Sequence, residues 1–261
     1  MPKIAIWGCY NQGFISDDLL YKAISDEIKY QTLDVDIVAV NHETDIDADF
    51  CIIGGGTLIG EPLKNFQYHN KPFCILGAGY REGNIPDFIH KAVFIKTRGE
   101  LSARKIRGMG FWAESCGDPI VLLKRQRSKI YPTEVITITR GGIDKGLDEW
   151  AGSKVRESTY CGEITEAAIN KIPNAKKVNS ARLHPFLLAL SMGIPAETYQ
   201  FEFAKVDDAL DGLGLEFVRH LKKGDVYEVN EYFAGLAKEK IDIKRKELQK
   251  LITDILELCL R

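Results

Sequence analysis

The chain has 261 residues, 45% of them hydrophobic and 28% charged, with 35 Lys and Arg against 37 Asp and Glu for a formal net charge of −2. This composition is globular, which excludes a disordered or fibrous chain, and the length allows one large or two small domains. A charge so balanced gives no global reason to bind nucleic acid or an anionic membrane, and six cysteines without a CxxC pair read as reduced core thiols rather than a disulfide framework or zinc site.

The chain opens on a predicted strand, Lys3–Trp7, with no basic region and long apolar stretch of the signal-peptide kind. No run approaches about 18 consecutive apolar residues, so a cytoplasmic address is expected. Peripheral attachment to the inner face of a membrane is left open. Further strands are predicted at Val35–Val40, Asp49–Ile53, Pro72–Leu76 and Ala92–Lys96. Their nearly continuous apolar character suits a parallel sheet buried on both faces. Between the first two lies a helix, Ser16–Lys29, with Ser16 as a cap and Asp17 and Asp18 at its positive end. Strand, helix, strand in that order implies a right-handed βαβ unit. Another helix runs from about Glu100 to Arg107, ended by Gly108.

Asp118-Pro119 and the apolar run Ile120–Leu123 close this part, and the basic stretch Lys124–Lys129 reads as a linker. A second, smaller α/β unit follows. It has a strand at Val135–Thr139, a helix at Ile164–Ile172, an extended piece at Lys177–Ser180 and a helix at Pro185–Met192 with proline at its start and Gly193 at its end. A strand at Ile194–Tyr199 and a helix at Phe203–Leu210 complete it. The tail from Glu231 is helical, with a stripe of Leu248, Leu251, Ile255 and Leu258 that suits packing back on a domain. The expected division is therefore 1–127, 128–230 and 231–261.

Chemistry is suggested at four places. Gly54-Gly55-Gly56 follows a strand, where parallel sheets bind ligands, and Gly77-Ala78-Gly79 repeats the pattern after the next. A tight turn without a ligand is an equal reading. Arg98 and Ser102 stand at a helix N-terminus that suits an anion, or a local salt bridge and cap. Arg140 follows a strand directly and precedes two glycines. The most informative segment is Ser180-Ala181-Arg182-Leu183-His184-Pro185-Phe186. Arg182 and His184 are two apart in predicted extended chain, so both can face one side. A guanidinium fork, an imidazole and a helix N-terminus in five residues can form an anion site with an acid beside it. The alternative is a histidine capping its own helix and an arginine paired to a nearby carboxylate. No metal-ligand cluster is visible.

These residues, in their order and spacing, resemble the polysaccharide pyruvyl transferase family. The resemblance runs from Asn11 to about Gly214. It rests on Gly54-Gly55-Gly56-Thr57-Leu58, Gly77-Ala78-Gly79, Thr97–Ser102 with Gly117-Asp118-Pro119, and Arg182–Leu190 running to Gly193-Ile194-Pro195. Family members commonly carry Asn-x-Gly followed at once by Asp; here Asn11-Gln12-Gly13 is followed by Phe14-Ile15-Ser16. The resemblance implies an α/β fold of two facing Rossmann-like domains, GT-B-like, with the active site between them. It also implies transfer of the enolpyruvyl group of phosphoenolpyruvate to a sugar, forming a pyruvate ketal. The acceptor would be a cell-surface polysaccharide or its lipid-linked precursor. Arg182, His184 and Arg140 would be the catalytic residues. Asn11, Gly54, Gly55, Gly56, Gly79, Arg98 and Ser102 would contact substrate. No cofactor is required beyond phosphoenolpyruvate as donor, and a homo-oligomer is left open. Two other functions share these features: a GT-B glycosyltransferase using a nucleotide sugar, and an inactive homologue acting as a binding partner.

Overall fold

The computed structural model describes residues 1–10, 15–42, 47–68, 70–125, 127, 128, 134–139, 150, 153, 154, 157–199 and 204–260. Asn11, Arg140, the expected helix start at Phe203 and two residues of the basic stretch, Gln126 and Lys129, lie outside them. The chain divides into two compact units. The first comprises Met1–Leu123, Asp208–Leu213 and Lys244–Arg261; the second comprises Lys124–Asp207 and Gly214–Ile243. The tail is thus no separate part, because the chain returns twice to the first unit. Among the described residues no helix is long and apolar enough to cross a membrane.

The first unit is built from β1 (Lys3–Trp7), α1 (Ile15–Gln31), β2 (Asp36–Val40), β3 (Phe50–Gly54), β4 (Phe73–Ala78), β5 (Ile95–Thr97), α2 (Glu100–Gly108) and β6 (Glu114–Ser115). Its sheet has the order β2-β1-β3-β4-β5-β6, and every pair is parallel. The continuous apolar runs explain this. Every residue of β3 and β4 is buried, which requires cover on both faces. The helix α1 begins at Ile15, so Ser16 sits inside its first turn rather than capping it, while Asp17 and Asp18 do hold the positive end. The apolar run after Asp118 is a buried 3-10 turn, Pro119–Leu122. Proline fixes the backbone there, and the Asp118 carboxylate accepts from the Ile120 N–H at 3.0 Å.

The second unit contains β7 (Glu134–Thr139), β8 (Tyr160–Glu163), α3 (Glu166–Lys171), β9 (Ala175–Ser180), α4 (Leu183–Ser191) and β10 (Ala196–Tyr199). Next come α5 (Lys205–Gly212), α6 (Glu216–Arg219), β11 (Lys222–Lys223), β12 (Val226–Val229) and α7 (Glu231–Cys259). The last parts of α5 and α7 count with the first unit. The sheet order is β11-β12-β10-β9-β7-β8. The pairs among β8, β7, β9 and β10 are parallel, and the β11–β12 hairpin adds an antiparallel edge. The helix α4 begins two residues earlier than predicted. Proline is admissible inside a first turn, where N–H groups have no partner within the helix. The tail helix α7 packs back as expected, but its buried stripe is Leu248, Ile252, Ile255 and Leu256, and Leu258 is exposed. Side chains of α1 fix that register: Gln249 Nε2 donates to Glu27 at 3.0 Å and Thr253 Oγ1 to Gln31 at 2.8 Å. The five cysteines described (Cys9, Cys51, Cys74, Cys116 and Cys259) are free thiols. Burial pushes Cys116 up to about 12.

One buried carboxylate organises the second sheet. Glu197 of β10 is 3% exposed and accepts from Trp150 Nε1 at 2.7 Å and Lys177 Nζ at 3.0 Å; Lys154 Nζ lies 2.9 Å away. Burial alone would raise its pKa, but hydrogen bonds from Lys154, Lys177 and Trp150 hold it below the usual glutamate value of 4.5. A carboxyl held lower in the folded state contributes stability above its unfolded pKa and loses it as pH falls through the folded value. Thermal melts should therefore fall off below pH 4.5. A Glu197→Gln variant should melt lower at pH 7 and show a flatter acid limb. An acid limb unchanged by the substitution would sink this assignment.

Candidate functional site

Open parallel sheets bind ligands at the C-terminal ends of their strands, where the strand order reverses. In the second unit the order β8-β7-β9-β10 places that switch point between β7 and β9. These are the strands whose C-terminal ends lead into Arg140 and Arg182. Their register is Ile138↔Ser180, and the Ala181 N–H donates to the Ile138 carbonyl at 2.8 Å. Arg140 itself lies outside the described residues.

The turn from β9 into α4 is tightly held. Ser180 Oγ accepts from the Arg182 N–H at 3.0 Å and donates to the Arg182 carbonyl at 2.6 Å. Thr198 of β10 donates its hydroxyl to the Ser180 carbonyl at 2.8 Å. Arg182 is the N-cap of α4, extended at φ −136° and ψ 142°, and half-buried. Helices prefer an acceptor at this position, and arginine has none. The Arg182 side chain accordingly makes no capping bond. His184 lies in the first turn and is 7% exposed, and every residue of α4 is buried. Arg182 and His184 are therefore not two alternating positions of extended chain, as predicted, but an N-cap and a first-turn residue. They share the positive end of one buried helix.

In the first unit the order β2-β1-β3-β4-β5 puts the switch point between β1 and β3. Asn11, beyond β1, lies outside the described residues. The triple glycine after β3 is laced into the fold. The buried Tyr10 hydroxyl donates to the Gly54 carbonyl, and a Cβ on Gly54 would lie 2.6 Å from Ile24 of α1. Gly55 has φ +71°, a backbone state that favours glycine, and a Cβ there would lie 2.7 Å from Leu20. Gly56 faces Asp17 Oδ1, 3.1 Å from where its Cβ would be. The Gly79 N–H donates to the Gly56 carbonyl at 2.8 Å, joining the two glycine loops. At Gly54 and Gly55 the space of a side chain is taken by α1, as in a tight turn.

Arg98 and Ser102 do form an anion site, and the chain itself supplies the anion. Asp208 of α5 is 2% exposed; its carboxylate accepts from the Ser102 N–H at 2.9 Å, the Ser102 hydroxyl at 2.7 Å and Arg98 Nη2 at 3.4 Å. Arg98 is 2% exposed, and a Cβ on Gly79 would lie 2.5 Å from its Nη2. Of the two readings of this helix N-terminus, the geometry realises the salt bridge and cap, and it does not bring Arg98 to an open edge. Asp208, Glu197 and Trp150 carry no signal in the sequence. Their partners are distant in the chain, 106 residues in the case of Asp208 and Ser102, so no local pattern marks them.

The family model described as polysaccharide pyruvyl transferase matches residues 17–196. No curated protein matches the sequence. Among solved structures, an uncharacterised protein from Klebsiella pneumoniae subsp. pneumoniae is similar at a TM-score of 0.54 and 16% identity, covering 80% of this chain and 87% of that one. The UDP-GlcNAc 2-epimerase of Neisseria meningitidis, solved with UDP-GlcNAc bound, is similar at 0.52 and 9% identity over 98% and 99% of the two chains. S. aureus MnaA, solved with UDP, is similar at 0.50 and 10% identity over 95% and 90%. At such identities the likeness is one of fold: a GT-B-like α/β chain with two Rossmann-like sheets and a C-terminal helix.

Proposed function

The chain belongs to the polysaccharide pyruvyl transferase family, and we propose that it transfers the enolpyruvyl group of phosphoenolpyruvate to a saccharide, forming a pyruvate ketal. The observation that carries this reading is the position of Arg182 and His184. They stand at the N-terminus of one buried helix, at the switch point of the second sheet, beside the strand that leads into Arg140.

Phosphoenolpyruvate carries a carboxylate and a phosphate. Arg182 and Arg140 bind them as guanidinium forks, and the positive end of α4 adds to the field. His184, as imidazolium, gives a proton to the methylene carbon, which becomes the methyl group, and C2 becomes cationic. One sugar hydroxyl then bonds to C2 and a second displaces phosphate, closing the ketal. Of the two hydroxyl protons, one returns to His184 and the other leaves with phosphate. The arginines stabilise the departing phosphate's charge. Asn11 and Gly56 are assigned to substrate contact at the first unit's edge; Gly54, Gly55 and Gly79 build that edge, while Arg98 and Ser102 are taken up by Asp208. The acceptor is a saccharide of a surface polysaccharide or its lipid-linked precursor, and the donor is the only small-molecule partner required.

A thermal-shift panel tests the donor. Phosphoenolpyruvate at 100 times its Kd should stabilise the chain by about 2.7 kcal/mol, read as a rise in Tm, while nucleotide sugars should not. Stabilisation by a nucleotide sugar alone would replace this reading with glycosyl transfer.

A further inference from the structure

The parallel pairing of the second sheet sorts its side chains between two faces. Glu197 of β10 lies opposite Asn179 of β9, so Lys177, Asn179 and, just past the strand end, Ala181 share its face. On that face stands Trp150, from the stretch between β7 and β8. It is 8% exposed, its ring packs on Ala181, and Tyr199 and Val226 lie against the pair. Its Nε1 donates to Glu197 Oε1 at 2.7 Å. Lys154 Nζ lies 2.9 Å from the same oxygen, and Lys177 Nζ donates to Oε2 at 3.0 Å. Ala181, fully buried beneath the indole, is the residue that joins Ser180 to Arg182.

A buried carboxylate with two half-buried lysines is a costly support for an alanine. Apolar residues of the same volume are often as stable in such a place, but packing alone lets an indole slide over a methyl group. A charge-assisted bond from Nε1 to an acceptor that is itself held at both oxygens selects one orientation of the ring. The ring then sets how far Ala181 stands from the sheet. The next residue has little freedom of its own. The Ala181 N–H is bonded to the Ile138 carbonyl, and the N–H and carbonyl of Arg182 both engage the Ser180 hydroxyl. Any displacement of Ala181 is therefore carried into the N-cap of α4. We infer that Trp150, oriented by Glu197, is a positioning residue for Arg182. The inference rests on the reading of Arg182 as a donor-binding group, and the tryptophan acts through the arginine's backbone.

Trp150→Phe keeps a ring over Ala181 and removes the N–H, so the chain should fold and the turn should loosen. Hydrogen exchange reads this without a ligand. The Ala181 and Arg182 amides should exchange about tenfold faster than in wild type, while the Val178 amide, bonded to the Pro195 carbonyl earlier in the same strand, keeps its rate. Calorimetry with phosphoenolpyruvate should show affinity about tenfold weaker, the cost of a misplaced binding group. The same change made in Arg182→Ala should cause no further loss, because a residue that acts through Arg182 has nothing left to act on. A merely structural tryptophan would speed exchange along the whole strand or weaken affinity equally in both backgrounds. Either result overturns the inference, as does exchange at Ala181 and Arg182 within about twofold of wild type. A wild type that binds no phosphoenolpyruvate while the local exchange responds as expected would remove the donor reading and leave Trp150 as the residue that positions Arg182.

Discussion

His184→Ala is expected to bind phosphoenolpyruvate within about threefold of wild type and to lose roughly 10²–10⁴ in turnover, the usual worth of a positioned general acid. The expectation follows from where the imidazole stands. His184 is 7% exposed in the first turn of a wholly buried helix, behind an arginine that holds the N-cap. Arg182 supplies the planar fork that an anionic donor needs, so Arg182→Ala should weaken donor binding by about 10–100-fold, the range for a lost charge-assisted hydrogen bond. Arg182→Lys should recover little of it, because a point charge does not reproduce the fork. Calorimetry with phosphoenolpyruvate and a phosphate-release assay with a saccharide acceptor separate the two roles. Normal phosphate release by that variant would refute the acid assignment. Donor affinity unchanged in Arg182→Ala would remove the arginine from the site.

Much of the fold is written in local patterns. Continuous apolar runs announce β1, β3 and β4 because strands buried on both faces can hold nothing else. The acids of α1 and the glycine at the end of α2 mark helix ends for equally local reasons. Elements too short to carry a period escape such reading. The two residues of β6 and of β11 are strands only because a neighbour pairs with them. The helix α4 starts two residues ahead of Pro185, because proline marks the neighbourhood of a helix start rather than its first residue. The site divides in the same way. Arg182 and His184 stand out because unlike chemistries crowd five residues. The meaning of Arg98 depended on Asp208, 110 residues away, which no local pattern could bring to it. Topology adds what composition could not: the β7–β9 register sets Ile138 beside Ser180.

That distant contact carries the largest stability effect. Asp208→Ala should cost about 3–5 kcal/mol, because it leaves the Arg98 guanidinium buried without its counter-charge. The carboxylate also serves as the cap of α2, accepting both the N–H and the hydroxyl of Ser102, so about 1 kcal/mol of the loss belongs to the helix end. For a chain of this size each kcal/mol moves Tm by about 2–4 °C, so a drop of roughly 6–20 °C is expected. The double variant Asp208→Ala with Arg98→Met should regain a large part of it, since removing both charges avoids burying one alone. Gly99→Ala probes the same junction sterically. A Cβ on Gly99 would lie 1.7 Å from the Asp208 carbonyl oxygen, and one on Gly212 would lie 1.7 Å from the Arg98 carbonyl oxygen. Neither backbone can yield without lifting the 208–212 segment off the first unit, so each substitution should destabilise by at least the roughly 1–3 kcal/mol of an overpacked core. Calorimetric melts distinguish the causes: the Arg98→Met change should rescue Asp208→Ala and leave Gly99→Ala as unstable as before. A melting temperature for Asp208→Ala within about 2 °C of wild type, under 1 kcal/mol, would mean that the carboxylate does not hold this junction.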